Sequence, residues 1–176
     1  MRSLTCSSPP CTWAADPPNL SSRSAYVTTA RIVFVLVAAA VFIVDRVTKN
    51  LVASQIEYGS EVAIVDHLVG ITNLRNSGAA FGFAPAGAGL FLIASVLVAI
   101  GLAVYVLRNP GDQWSFGALG LIMGGTVGNG FDRIVHGTVT DFINFHFWPV
   151  FNLADSAITV GVVLLIASYL IRRPTS

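Results

Sequence analysis

The chain has 176 residues, 54% of them hydrophobic and only 11% charged, with a formal net charge of +1. So few charges cannot cover a soluble domain, and the near-neutral balance offers no electrostatic footprint for nucleic acid. The composition reads as one integral membrane domain, mainly α, with membrane lipid as its surroundings and no nucleic-acid partner.

In chain order, residues 1–24 are polar and rich in Pro and Ser, and read as a disordered cytoplasmic tail. Cys6 and Cys11 lie in that tail, away from any chemistry and on the side where disulfides do not persist. Tyr26 to about Lys49 is the first candidate span. Its charge-free stretch, Ile32 to Val44, also has the length of a signal-peptide core, but it lies well inside the chain and no small-residue cleavage site follows it. Asp45 and Lys49 stand four apart at its outer end, the spacing at which an acid and a lysine neutralise one another, so both take a structural role near the site.

Residues 50–86 are too many for a turn and too apolar for a linker. Glu61 to Leu74 is rich in Val, Ile and Thr, and turn signals occur at Asp66-His67 and Asn76-Ser77-Gly78, so the segment reads as a small external β-cradle. The Asn-Ser-Gly turn fits ordinary loop chemistry and equally a close approach to a peptide ligand. Gly87 to Leu107 and Trp114 to Phe131 are the second and third spans, each near the roughly 20 residues that cross a hydrocarbon core. In the third, Gly120, Gly124 and Gly128 recur every fourth residue and the row continues to Asp132, a packing stripe that ends on a carboxylate. Asn129 and Arg133 form the adjacent row and offer donors to a carbonyl or carboxylate, while Asp132 beside Arg133 also fits a plain helix-end ion pair.

The external loop, about 136–151, contains an extended stretch from Thr138 to Phe145 and five aromatics, Phe142, Phe145, Phe147, Trp148 and Phe151, expected at the headgroup level. The fourth span is Ala154 to Ile171, and residues 173–176 form a short tail. Asp141 and Asp155 flank its start, with Asn129, Asn144, Asn152 and Arg133 as polar company. Asn152 followed three residues later by Asp155 is also the pattern of a helix cap. Asp141, a second carboxylate in apolar surroundings with no cation adjacent in sequence, shifts the reading toward a pair that shares one proton and hydrolyses a peptide bond.

Other chemistries find little support. His67, His136 and His146 are scattered without zinc spacing, so no metal and no cofactor is expected. Lys49 is the sole lysine, and no serine stands in a recognisable dyad with it. Cations favour both termini in the cytoplasm: Arg2, Arg23, Arg31, Arg108, Arg172 and Arg173 then lie inside, which puts both aspartates on the outer face. The alternative from another class is a small polytopic transporter or membrane scaffold with an Asp/Arg relay. The acids gather at one face and no helix is broken at its middle, which counts against it.

Five blocks carry a family resemblance: Asp45-Arg46-Val47-Thr48-Lys49, Asn76-Ser77-Gly78-Ala79-Ala80-Phe81, Gly128-Asn129-Gly130-Phe131-Asp132-Arg133, Val139-Thr140-Asp141-Phe142 and Phe151-Asn152-Leu153-Ala154-Asp155. In their order and spacing the chain resembles the bacterial lipoprotein signal peptidases, the type II signal peptidases, over about residues 32–171. The resemblance implies four transmembrane helices with a small extracytoplasmic β-cradle, residues 25–172 forming one multi-pass domain of the bacterial inner membrane. It implies an aspartic endopeptidase that cleaves diacylglyceryl-modified prolipoproteins before the lipidated cysteine, with its site near the extracytoplasmic face; the enzyme is expected to be a monomer. Asp141 and Asp155 would be the catalytic pair. Asn76, Gly78, Asn129, Arg133 and Asn152 would hold substrate, and Asp45, Lys49 and Asp132 would organise the site. Gly130, where the family commonly has a larger apolar residue, and the long N-terminal tail are departures that leave the aspartates untouched.

Overall fold

A computed structural model describes residues 20–78 and 86–171, with side chains over 25–78 and 88–171. Four helices and a three-stranded sheet follow one another as α1 (Leu20–Gln55), β1 (Glu61–Val65), β2 (Val69–Asn76), α2 (Ala86–Arg108), α3 (Gln113–His136), β3 (Val139–Asn144) and α4 (Leu153–Ile171). Among the described residues three helices are long and apolar enough to cross a membrane, within α1, α2 and α4. Helix α3 is as long, but its glycines and its polar C-terminal turn dilute its apolar character.

Helix α3 is the centre of the bundle, packed against α1, α2 and α4. The glycine stripe explains how close α1 comes. A Cβ at Gly120 would lie 2.8 Å from the Phe34 carbonyl oxygen, one at Gly124 2.6 Å from that of Ala38, and one at Gly128 2.7 Å from Asp45 Oδ2. The row therefore runs from backbone contact to a carboxylate, as its spacing predicts. Asp112 caps α3 by accepting from the backbone N–H groups of Trp114 and Ser115, and Gly137, at φ 71°, ends it in the left-handed conformation.

The bundle is polar inside and apolar outside at one end. Leu36, Ile43, Leu97, Ile134 and Leu170 are exposed, whereas Asp45, Asp132 and Asn152 are at most 1% exposed. Far from the sheet the interior is apolar, built on Ala30, Phe34, Val106, Phe116 and Leu119. The sheet is antiparallel in the order β1-β2-β3, with Leu74 opposite Asp141 and Asn76 opposite Val139. It is tied to the end of α1 by Asn73, whose Nδ2 donates to the Ile56 carbonyl at 2.8 Å.

Two boundaries differ from the sequence expectation. Composition puts the tail at residues 1–24, but Leu20–Ser24 already belong to α1; residues 1–19, with Cys6 and Cys11, lie outside the described residues, as do 172–176. The sequence pattern starts the β-cradle near residue 50, but α1 runs to Gln55 because nothing before Gly59 interrupts a helix. The turn at Asp66-His67 is where β1 passes to β2, with His67 at φ 58°. The family block from Ala79 to Phe81 lies outside the described residues.

Candidate active site

Two layers of charge meet where α1, α3 and α4 converge beneath the sheet. In the first, α1 presents Asp45, Arg46 and Lys49 to Asp132 of α3. Lys49 Nζ lies 3.0 Å from Asp45 Oδ2 and 2.9 Å from Asp132 Oδ2, and is 2% exposed. Arg46 donates through Nη2 to Asp45 at 2.9 Å and through Nη1 to Asp132, with its guanidinium 5.1 Å above the Phe131 ring. Two cations thus face two carboxylates, which compensates the cost of burying each. Asp45 Oδ1 also accepts from the Ala154 backbone N–H at 3.2 Å, fixing the start of α4. The i,i+4 pairing of Asp45 with Lys49 is as expected; Asp132, however, pairs with Arg46 and Lys49 and not with its neighbour Arg133.

The second layer holds Asp141 and Asp155 by amides. Asn76 Nδ2 donates to Asp141 Oδ2 at 2.9 Å and Asn152 Nδ2 to Asp141 Oδ1 at 2.7 Å. Asn129 Nδ2 donates to Asp155 Oδ1 at 2.7 Å, and the Asn152 backbone N–H to Asp155 Oδ2 at 3.2 Å. Asn152 Oδ1 accepts in return from the Asp155 N–H at 3.0 Å. Capping and site-building are therefore one arrangement: the reciprocal cap occupies one oxygen of Asp155 and leaves the other to Asn129. Strand β3 supplies Asp141 from outside the helices. Burial, reinforced by the charge of Asp155 and partly offset by the amides of Asn76 and Asn152, pushes its carboxyl up to about 6.

Around this pair, Arg133 stacks its guanidinium 5.3 Å over the Phe91 ring and donates from Nη1 to the Asn129 carbonyl at 3.3 Å. Gly78, at φ 86°, gives its N–H to Asn76 Oδ1 at 2.8 Å, closing the turn that aims the Asn76 amide. A Cβ there would lie 2.6 Å from Phe91, so the position admits only glycine. Asn144, expected beside the aspartates, instead donates to Glu61 Oε2 at 2.7 Å on the far side of the sheet. Of the aromatics expected at the rim, Phe147 and Trp148 are exposed, but Phe142 is buried. Arg46 and Phe91 were not singled out. Arg46 follows Asp45 directly in the first family block, a signal legible in the sequence; Phe91, one apolar residue among many in α2, carries none.

A cavity of about 770 Å³ lies at the opposite end, between α2 and α4, lined by Leu102, Tyr105, Phe116, Leu119 and Tyr169 among others. It shares no residue with the charged layers.

Comparison with known proteins points to one family. Residues 37–171 match the family described as Signal peptidase (SPase) II. The lipoprotein signal peptidase of Geobacillus thermodenitrificans is 40% identical over 139 residues, 76% of this chain and 87% of that one. That of Gloeobacter violaceus is 41% identical over 136 residues, 76% of this chain and 79% of that one. A solved structure described as a bacterial membrane enzyme, determined by the in meso method at 1.9 Å resolution, superposes with a TM-score of 0.72 at 32% identity, over 80% of this chain and 94% of that one. The chain belongs to the signal peptidase II family, the aspartic peptidases that process prolipoproteins.

Proposed function

We propose that this enzyme removes the signal peptide from diacylglyceryl-modified prolipoproteins, cutting before the lipidated cysteine, with Asp141 and Asp155 as its catalytic pair. The observation that carries the reading is the contrast in partners. Asp141, buried, and Asp155, half-buried, are held by neutral amides, whereas Asp45 and Asp132 beside them are neutralised by cations. A pair so held can keep one proton between them. The ionised member takes a proton from a water, and the protonated member donates to the scissile carbonyl as the tetrahedral intermediate forms. Asn76, Asn129, Arg133 and Asn152 line the approach and position the peptide backbone.

On this reading α3 also crosses the membrane and brings the number of transmembrane helices to four, both termini are cytoplasmic, and the sheet lies on the extracytoplasmic face of the inner membrane. The enzyme acts as a monomer. The substrate arrives within the bilayer, its acyl chains contributing about 0.8 kcal/mol per buried CH₂ to anchoring. The exposed strand β1 offers an edge along which an extended peptide can pair. The test is incubation of the full chain in detergent with a diacylglyceryl-modified prolipoprotein and an unmodified copy, with products read by mass. Release of a signal peptide ending just before the lipidated cysteine, from the modified substrate alone, is expected. Equal cleavage of the unmodified copy, or none of either, would overturn the proposal.

A further inference from the structure

We propose that Lys49 is a positioning residue for the catalytic pair: through Asn129 it fixes the amide that holds Asp155. The inference rests on the assignment of Asp141 and Asp155 as the pair. Its geometry is a chain of hydrogen bonds. Lys49 Nζ lies 2.9 Å from one side-chain atom of Asn129, and the Nδ2 of Asn152 lies 3.2 Å from the same atom. An ammonium group carries three donors and no acceptor, so the atom facing it is Oδ1. The opposite atom is then Nδ2, and it is this N–H that meets Asp155 Oδ1 at 2.7 Å.

The second amide is set by the same chain. Asn152 spends its two side-chain hydrogens on Asn129 Oδ1 and Asp141 Oδ1, and its own oxygen accepts from the Asp155 N–H. Lys49 thus anchors a line of two amides that runs from one catalytic carboxylate to the other. Without the ammonium, only the longer contact from Asn152 Nδ2, at 3.2 Å, holds Asn129 Oδ1, and the amide can turn over. Its oxygen would then face the carboxylate of Asp155, an unfavourable pairing unless that group is protonated, and the proton of the pair would be misplaced.

A purely structural Lys49 would matter only as a counter-charge in the cluster, where Arg46 and Lys49 balance Asp45 and Asp132. A charge-balanced double variant separates the two roles. Lys49→Met with Asp132→Asn leaves Arg46 against Asp45, so the cluster stays neutral. Its kcat and KM on the diacylglyceryl-modified prolipoprotein are compared with those of Asp132→Asn and of the unaltered chain. The expected result is a folded protein with KM within about twofold and kcat lower by about a hundredfold, the scale of a misplaced catalytic group. Restoration of kcat to the level of Asp132→Asn would show that Lys49 only balances charge. Should the double variant not fold, neutron diffraction from deuterated crystals of the unaltered protein reads the amide directly. Nδ2 toward Asp155 supports the proposal, and Oδ1 toward Asp155 overturns it. If the unaltered chain cleaves nothing, the functional reading has failed, and the neutron map still decides the orientation of Asn129.

Discussion

Four carboxylates gather at the sheet end of the bundle, and they form two pairs in opposite company. Asp45 and Asp132 are enclosed by Arg46 and Lys49, while Asp141 and Asp155 receive N–H groups from Asn76, Asn129 and Asn152. Asp45, Asp132 and Asp141 are buried and Asp155 is half-buried, so burial does not divide the four along this line. What differs is the sign of the partner. A cation fixes a carboxylate as an anion, whereas a neutral amide leaves its protonation open to the neighbouring charge. The first pair holds three helices together. The second, one member on a helix and one on a strand, can gain and lose a proton without unravelling the bundle.

The largest effect that tests this division is on turnover. Asp141→Asn and Asp155→Asn are each expected to lower single-turnover cleavage by about a thousandfold or more, with a cooperative thermal transition retained. An Asp155→Asn protein that cleaves normally but unfolds early would leave that residue only its capping role. Next in size is an effect on stability. Asp132→Ala leaves Arg46 and Lys49 facing Asp45 alone, and breaking a buried ion pair in this way costs about 3–5 kcal/mol. Thermal unfolding in detergent measures it. A loss below about 1 kcal/mol would mean that the cluster is not what joins α1 to α3.

How much of this was readable from residues alone depended on the range of each signal. The stripe Gly120, Gly124, Gly128, Asp132 was legible because helical period is local, and it leads to the ion cluster as its spacing implied. The sheet was legible through its β-branched residues and the Asp66-His67 turn. The reach of α1 was not, because Asn50 to Gln55 is as acceptable in a helix as in a loop and only tertiary contacts decide. The place of Asn144 follows from strand period: side chains alternate along a strand, and a residue three after Asp141 points to the other face. The contact of Lys49 with Asn129 joins residues 80 apart in sequence, and no local pattern announces it.

The smallest effect sharpens the comparison most, because it separates the pairs by pH. The carboxyl of Asp141 is raised from its ordinary 3.8 to about 6 by burial and the nearby charge of Asp155. The folded protein therefore binds this proton more tightly than the unfolded chain does. That contribution to stability is complete below about pH 4, is lost as pH rises through about 6, and changes little above. Its ceiling is on the order of 3 kcal/mol, from 1.36 kcal/mol per unit of pKa. Unfolding midpoints of the unaltered chain are expected to fall across that window, and those of Asp141→Asn to lack this component, since an amide does not titrate. The free enzyme's kcat/KM is expected to decline over the same range if the proton on Asp141 is the one used in cleavage. A pH profile of stability that is the same in both proteins would place the raised group elsewhere and remove the distinction between the two pairs.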